Sequence, residues 1–333
     1  MKFSDVLDIR NGRNQRQVEN ENGKYPIYGS GGVMGHATDF ICDAGTVVIG
    51  RKGSINNPIF VDEPFWNVDT AFGLVAHREV LLPKYLFYFC VNFDFERLNT
   101  TVTIPSLTKA NLLQIEINVP DMDEQRRVVS VLDKTCQLID LQQQELHNLD
   151  QLVKSRFIEL FGDPVINPKG FPCYTVGEVI DFQGGSQPDK KFFEYEASPD
   201  NIRLIQIRDY KSDKYITYIP KTMAKRFCTA DDIMIGRYGP PIFQILKGIE
   251  GSFNVALMKA TPKMGNREFI RQFLKQDCLL EYLEGLSKRT AGQDGIQMDK
   301  LKAYPFPYPP MEMQEQFAAF VEQTDKSKYY SVA

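Results

Sequence analysis

The sequence contains 333 residues, of which 43% are hydrophobic and 25% are charged, and it carries a formal net charge of −4 at pH 7. These values are typical of a globular protein of about two domains, and they exclude a disordered or fibrous chain. No apolar run approaches the ~20 residues that a membrane-spanning helix requires, and the first residues, M-K-F-S-D-V, lack the apolar core of a signal peptide. We therefore expect a cytoplasmic protein with no membrane partner.

The cysteines are scattered along the chain without any C-x-x-C pair: Cys42, Cys90, Cys136, Cys173, Cys228 and Cys278. This spacing argues against a disulfide framework and against a zinc site. We expect reduced thiols and no metal centre.

The chain contains the same series of elements twice. An apolar run ending in Gly-Arg-x-Gly occurs at Gly45–Gly53 (G-T-V-V-I-G-R-K-G) and again at Asp232–Gly239 (D-I-M-I-G-R-Y-G). Further pairs follow in the same order: Phe3–Gly12 with Val176–Gly185, Trp66–Val68 with Phe253–Val255, Pro83–Phe89 with Arg267–Phe273, Leu112 with Leu301, and Glu124-Gln125 with Met313-Gln314. The separation increases from 173 (Phe3 to Val176) to 189 (Leu112 to Leu301), as loops of unequal length would produce. The pattern predicts two copies of one module that share a frame and differ in their loops, with two unrelated α/β segments as the alternative.

A different kind of segment separates the two modules. From about Asp123 to Phe161 there is no Gly or Pro, and apolar or small polar residues recur at a 4-3-4-3 spacing: Val128, Leu132, Thr135, Ile139, Gln142, Leu146, Leu149 and Val153. Such a seam predicts a long helix in a coiled coil, which Gly162-Asp163-Pro164 would end. At 1.5 Å per residue the helix would span roughly 57 Å.

The start of the same helix follows the second module. Phe317, Val321 and Thr324 repeat Val128, Leu132 and Thr135 at a separation of 189 residues, and the chain ends soon afterwards. Most of the first helix therefore has no equally long partner within the chain. An exposed apolar seam predicts a covering chain, with self-association as one form of it. The alternative is a helix that packs on its own modules.

These motifs together resemble one known family. Tyr25–Gly35 (Y-P-I-Y-G-S-G-G-V-M-G), the Gly45–Gly53 turn, Ile104–Leu112 and the module end Asn118–Asp133 are similar to segments of the specificity subunit of type I restriction-modification systems. So are the first segments of the second module, Y-T-V-G-E-V-I-D-F-Q-G-G-S-Q-P and I-R-L-I-Q-I-R-D-Y. The resemblance covers almost the whole chain, apart from the shortened C-terminal helix.

The resemblance implies an α+β fold with two tandem target recognition domains, each a β-rich core with helices. They would occupy residues 1–120 and 163–310, separated by a spacer helix at 121–162 and followed by a truncated helix at 311–333. Each domain would read one half of a bipartite site in double-stranded DNA. The helices would dock methyltransferase subunits, and a restriction subunit would complete the complex. No cofactor is expected in this chain, because S-adenosylmethionine, ATP and magnesium would belong to the partner subunits.

Candidate DNA contacts follow from the chemistry of base recognition. Arg and Lys bind guanine edges and Asn and Gln bind adenine edges, whereas phosphate contacts position a protein without reading sequence. The candidates in the first module are Lys24, Tyr28, Arg51, Lys52, Ser54 and Asn56, and those in the second are Arg208, Lys211, Arg237, Tyr238, Lys288, Arg289 and Gln293. The partner-binding seam comprises Val128, Leu132, Ile139, Leu146, Leu149, Val153, Phe317 and Val321. For any single candidate, a solvated surface residue is the alternative.

The net charge of −4 is unusual for a protein that binds duplex DNA by itself. The cationic residues form only local clusters: Arg10, Arg13 and Arg16; Arg203, Arg208, Lys211 and Lys214; and Lys221, Lys225 and Arg226. We therefore expect weak, strongly salt-dependent DNA affinity for the isolated chain.

Two other classes of protein are alternatives. An enzyme is disfavoured, because Asn57–Phe60 (N-P-I-F) lacks the second proline of a methyltransferase N-P-P-[FYW] loop and no F-x-G-x-G loop precedes it. The glycine run Gly29–Gly35 matches no phosphate-binding loop. A helical scaffold with two protein-binding modules is the remaining alternative, since Tyr85, Phe87 and their aromatic neighbours could anchor a partner.

Overall fold

The computed structural model describes residues 1–99, 105–238, 242–287 and 295–332. Its contacts divide the chain into two units, Met1–Leu141 and Gln142–Ala333. Both units combine helices and strands, which confirms the α+β class. The finer domain boundaries at residues 120, 162 and 310 stay predictions. Among the described residues, every helix is too short or too polar to cross a lipid bilayer.

The helices of the first unit are α1 (Phe3–Val6), α2 (Pro83–Asn92), α3 (Lys109–Leu113) and the start of α4 (Met122–Phe161). Its strands are β1 (Leu7–Asn11), β2 (Tyr25–Gly29), β3 (Gly32–Ala37), β4 (Thr46–Gly50), β5 (Ile59–Val61), β6 (Trp66–Asn67) and β7 (Ala71–Ala76). They form one sheet in the order β1-β7-β4-β5 and a second in the order β3-β2-β6. All of β4 is buried, in keeping with its β-branched sequence T-V-V-I-G.

The second unit contains the end of α4 and the helices α5 (Val176–Val179), α6 (Arg267–Leu274), α7 (Asp277–Ser287), α8 (Met298–Ala303) and α9 (Met311–Val332). Its strands are β8 (Cys173–Thr175), β9 (Ile180–Gly184), β10 (Asn201–Ile205), β11 (Tyr218–Pro220), β12 (Phe227–Cys228), β13 (Ile233–Gly236), β14 (Gln244–Lys247), β15 (Gly251–Phe253), β16 (Leu257–Pro262) and β17 (Pro305–Pro307). The sheets have the orders β14-β13-β16-β9, β11-β10-β15-β12 and β17-β8.

The two units repeat one topology. The order β1-β7-β4-β5 of the first unit is matched by β9-β16-β13-β14 in the second. Each unit also has a parallel pair of strands outside that sheet, β2 with β6 and β10 with β15. Individual backbone hydrogen bonds repeat as well: Phe3 N donates to Ile115 O at 2.9 Å, and Val176 N donates to Tyr304 O at 2.9 Å. The chain is therefore a structural duplication.

The structure corrects one of the sequence pairings by a single residue. Val68 N donates to Tyr28 O at 3.0 Å, and Asn254 N donates to Ile205 O at 3.0 Å, so Val68 is equivalent to Asn254. The sequence comparison had instead matched Asn254 with Asn67. The shared asparagine was misleading because Asn67 is buried and donates to Ala71 O, whereas the Asn254 side chain accepts from Ala256 N in a local turn.

Glycine is required where β1 and β9 end, because the backbone there passes against a neighbouring segment. A Cβ at Gly12 would lie 1.7 Å from the carbonyl oxygen of Val68. A Cβ at Gly185 would lie 1.9 Å from the carbonyl oxygen of Asn254. The same close approach thus occurs at equivalent places in both units.

Helix α4 is continuous over 40 residues. Asp121 Oδ1 accepts from Asp123 N and Glu124 N at its start, and Gly162 adopts a φ of +77° after its end. Such a carboxylate cap and left-handed glycine are favoured ends of a helix. The long helix predicted from the seam is confirmed.

The last turns of α4 belong to the core of the second unit. Phe157 stacks on Phe269 with ring centroids 5.6 Å apart, and its edge meets the Phe317 ring at 5.6 Å. All three rings are almost completely buried. Burial of each such side chain stabilises the fold by about 1.5–3 kcal/mol, which fixes α4 and α9 to this unit.

Helix α9 covers only part of the α4 seam. The two helices are antiparallel, since Phe317 meets Phe157 whereas Lys328, eleven residues further on, lies 2.6 Å from Asp150. Phe317, Val321 and Val153 are buried, whereas Val128, Leu132, Leu146 and Leu149 are half-buried. Ile139 is 46% exposed, and Val131, Leu138 and Leu141 on α4 are each more than 60% exposed. The partner-binding seam and self-association stay predictions.

Candidate nucleic-acid interface

The first glycine turn displays polar side chains on a fixed backbone. After β4 ends, Arg51 N donates to Thr70 O at 2.8 Å and Arg51 O accepts from Leu107 N at 2.9 Å. Gly53 follows with a φ of +83°, and the side chains of Arg51, Lys52 and Ser54 are exposed. The turn is held by its backbone, and the Arg51 guanidinium lies 5.8 Å from the centre of the Phe72 ring.

The loop between β2 and β3 lies beside this turn. Ser30 packs against the positions of Gly50 and Gly53, where no side chain intervenes. We call the surface formed by Ser30, Arg51, Lys52 and Ser54 the first reading face. The structure thus brings together three of the candidates chosen from the sequence.

An equivalent surface forms in the second unit. Arg237 N donates to Ala256 O at 2.9 Å, as Arg51 N does to Thr70 O, and Tyr238 forms a β-bridge with Gly295 as Lys52 does with Ser106. The Arg237 guanidinium lies 5.3 Å from the centre of the Tyr238 ring. The loop after β10 packs here too, since Ile207 meets the Gly236 position. We call the surface formed by Arg237 and Tyr238 the second reading face, and the candidate Arg208 follows Ile207 in the adjoining loop.

A buried carboxylate fixes the loop that carries Arg208. Asp209 Oδ2 lies 3.7 Å from Arg203 Nε, and Arg203 also binds Asp213 at 2.9 Å. Burial raises the pKa of Asp209, although Arg203 and Arg208 oppose that change. Arg208 donates to Thr217 Oγ1 at 3.0 Å, while Lys211, which follows it in the same loop, is exposed.

The sequence did not predict that Arg203 and Asp209 hold the loop that carries Arg208. The signal that could have found them is the alternation in I-R-L-I-Q-I-R-D-Y, which places a carboxylate beside the arginines of a short loop. Alternation alone does not show that the carboxylate is buried.

Three candidates in the first unit have other surroundings. Lys24 precedes β2, at the opposite end of that strand from the first reading face, and its Nζ lies 5.4 Å from the Tyr25 ring centre. The Tyr28 ring packs edge-on against Phe65 at 5.3 Å, and burial raises its pKa. Asn56 donates to Asp94 and accepts from Phe95 N at 2.7 Å, so both ends of its amide hold a loop.

Lys288, Arg289 and Gln293 lie outside the described residues, as does Gly239 at the end of the second glycine turn. The DNA contacts as a set stay predictions.

Comparisons with known proteins agree with the duplicated fold. A family model described as the type I restriction modification DNA specificity domain matches residues 1–151 and 168–329. The type I restriction enzyme MjaVIII specificity subunit of Methanocaldococcus jannaschii is 23% identical over 314 residues, covering 85% of this chain and 70% of that protein. A putative type I specificity subunit N-terminus from Mycoplasma pneumoniae is 24% identical over 139 residues, covering 40% of this chain and 74% of that protein.

Solved structures show the same fold at low sequence identity. The crystal structure of a type I restriction-modification system S subunit from M. genitalium superposes with a TM-score of 0.64 at 15% identity, covering 99% of this chain and 90% of that one. A chain from a study of complex assembly and conformational transition of the type I system gives a TM-score of 0.53 at 17% identity, with the same coverage.

The fold defines a protein with two tandem recognition modules joined by a long helix. The matched residues show which one: the chain belongs to the type I restriction-modification DNA specificity family. The resemblance found in the sequence is confirmed. Members of this family are non-catalytic DNA-recognition subunits, and the catalytic activity lies in partner subunits.

Proposed function

We propose that each unit reads one half of a bipartite site in double-stranded DNA, and that α4 and α9 dock methyltransferase subunits. A restriction subunit joins the same complex, and S-adenosylmethionine, ATP and magnesium act only on those partner subunits. The observation that carries the proposal is the equivalence of Arg51 and Arg237. Each follows a buried strand and donates its backbone N–H to an equivalent carbonyl, Thr70 O or Ala256 O, with a different set of neighbouring side chains.

The shared frame and the different neighbours support recognition of two different half-sites. A guanidinium at the end of a rigid strand suits bidentate binding of a guanine edge. Lys52 and Ser54 accompany Arg51, whereas the aromatic ring of Tyr238 accompanies Arg237. The first reading face offers hydrogen-bond donors and the second offers an aromatic ring, so the two faces favour different bases.

The exposed side chains of α4 support docking of partner subunits. Val131, Leu138 and Leu141 are each more than 60% exposed on a helix whose contacts with the rest of the described chain lie toward its two ends. Apolar side chains grouped in this way mark protein interaction surfaces. The helix is thus the element that partner subunits contact, while the reading faces remain available to DNA.

The proposal is tested by mapping methylated adenines in host DNA when the chain is expressed with its modification subunit. We expect one bipartite motif. Arg51→Gln should relax one half of it and Arg237→Gln the other, each by about 1–3 kcal/mol of discrimination at one base pair. Relaxation of both halves by one substitution would contradict the assignment of one unit to each half.

Arg267→Gln is the matched control for Arg237→Gln. Arg267 is exposed in the same unit, but it begins α6, whose Arg271 contacts Asp231 O before β13 starts. It therefore lies near the opposite end of β13 from Arg237. Arg267→Gln should leave the motif unchanged. If it relaxed the motif, the loss of any positive charge would be enough to explain the effect of Arg237→Gln.

A further inference from the structure

We propose that each unit holds a DNA phosphate in a cleft beside its reading face. The first cleft uses Arg10 and Arg13, and the second uses Lys225 and Arg226. The inference rests on the proposed DNA-reading function and adds to it the groups that position the duplex.

The first cleft lies where β1 ends. It has a volume of about 550 Å³ and is lined by Ile9, Arg10, Asn11, Arg13, Phe40, Ile41 and Asp43. Both arginine side chains are exposed, and neither forms an ion pair within the described part of the chain. Asp43 places one carboxylate in the same cleft.

The second cleft lies where β9 ends. It has a volume of about 640 Å³ and is lined by Gly185, Ser186, Gln187, Lys225, Arg226 and Val255. Lys225 and Arg226 are exposed, and no ion pair involves either of them among the residues that the structure describes. None of the described residues that line this cleft carries a carboxylate.

The two clefts occupy equivalent places in the duplication. Arg13 N donates to Asn67 O at 2.8 Å, and Ser186 N donates to Phe253 O at 3.1 Å. The close approach of Gly12 to Val68 corresponds to that of Gly185 to Asn254, so the floor of both clefts is built in one way. The opposite wall also corresponds, because Cys42 bridges Phe65 antiparallel as β12 pairs with β15.

The cations themselves do not correspond. In the first unit they come from the strand end, at Arg10 and Arg13, and in the second they come from the opposite wall, at Lys225 and Arg226. The position equivalent to Arg13 is Ser186, whose hydroxyl is a further donor. Each unit thus places two cations in the equivalent cleft, although these cations come from different positions of the repeat. This indicates that the two clefts bind the same kind of ligand and that the cations were not simply retained from a common ancestral module.

The second cleft is continuous with the second reading face. Arg237 Nη1 donates to Val255 O at 3.4 Å, and Val255 lines the cleft. A duplex whose base edges meet Arg237 would bring its backbone within reach of Lys225 and Arg226. Cations in this position suit phosphate oxygens, which fix register without specifying sequence.

The inference is tested by measuring the affinity of the full chain for a duplex carrying the bipartite motif, between about 50 and 200 mM salt. Affinity falls as salt increases, and each lost phosphate contact makes the slope of log affinity against log salt less steep by about 0.9. Lys225→Gln with Arg226→Gln should make the slope less steep by about 1–2. Arg10→Gln with Arg13→Gln should reduce its steepness less, because Asp43 already offsets part of that charge.

The controls separate phosphate binding from a general loss of charge. The double lysine variant Arg10→Lys with Arg13→Lys should keep the original slope. Arg126→Gln with Arg127→Gln removes the same charge from exposed pairs on α4 and should also keep it. Preference for the motif over an unrelated duplex should be unchanged in the cleft variants, and thermal unfolding confirms that each variant is folded.

Two results would overturn the inference. Slopes equal to that of the unaltered chain in both cleft variants would show that the clefts hold no phosphate, while DNA reading itself stands. Loss of preference for one half of the motif would show that the clefts read bases. Absence of any duplex binding by the unaltered chain would instead overturn the proposed function.

Discussion

Gln125 and Gln314 make the same buried contact in the two units. Gln125 Oε1 accepts from Leu82 N at 2.8 Å, and Gln314 Oε1 accepts from Asn266 N at 2.9 Å. Leu82 and Asn266 are the residues that precede α2 and α6. Gln125 lies in the first turn of α4 and Gln314 in the first turn of α9. Each glutamine therefore holds its helix against the module that precedes it.

Loss of either glutamine side chain should destabilise its own unit. Gln125→Ala leaves Leu82 N, Val80 O and Pro120 O without their partner, and Gln314→Ala leaves Asn266 N and Pro309 O. We expect each to lower the free energy of unfolding by about 1–3 kcal/mol in urea denaturation. The exposed Gln143→Ala on α4 is the control. Equal stability of Gln125→Ala and the control would show that this contact does not stabilise the unit.

Alanine at the close-approach glycines should be poorly tolerated. Gly12→Ala and Gly185→Ala force a Cβ against a carbonyl oxygen, so the backbone must shift, and we expect a loss of about 1–3 kcal/mol or more. Gly31 lies in open space and gives the matched control Gly31→Ala. Thermal unfolding of the three variants measures the difference, and an unchanged Tm for Gly12→Ala would contradict the equivalence of the two strand ends.

Phe157 should be essential to the second unit. Phe157→Ala removes a ring that packs on Phe161, Phe269 and Phe317, and we expect a loss of about 3–5 kcal/mol. The neighbouring Ile158 is 45% exposed, so Ile158→Ala should cost much less. Denaturant unfolding compares the two. A similar loss in both variants would argue against the aromatic cluster as the anchor of α4.

Asp209 predicts a pH dependence of stability. Because burial raises its pKa in the folded state, the folded chain binds a proton more tightly than the unfolded chain does. Its contribution is present below the ordinary Asp pKa of about 3.9 and is lost as pH rises through the raised value. Asp209→Asn should remove this loss, so the unaltered chain should weaken relative to the variant as pH increases. The opposite trend would show that Arg203 and Arg208 outweigh burial and lower this pKa.

The sequence was sufficient to predict the elements that depend on local pattern. The Gly45–Gly53 turn, the length of α4 and the end of that helix at Gly162 follow from backbone requirements and helical periodicity. The duplication of the module followed because its landmarks are collinear. These features need no knowledge of distant contacts.

The remaining features depend on tertiary packing. The position of Tyr28 ahead of the glycine run does not show that its ring packs against Phe65. Asn56 was chosen for its amide, which a loop from a distant part of the chain engages at Asp94. The one-residue error at Asn67 has the same origin, because residue identity does not show which backbone groups pair.

The central claim is that two related modules read two different short motifs at a fixed separation. Selection of duplexes from a random library by the chain assembled with its modification subunit tests it most directly. We expect enrichment of two short motifs at a single spacing, with Arg51→Gln altering only one of them. Enrichment of one continuous motif, or of no motif at all, would contradict the account.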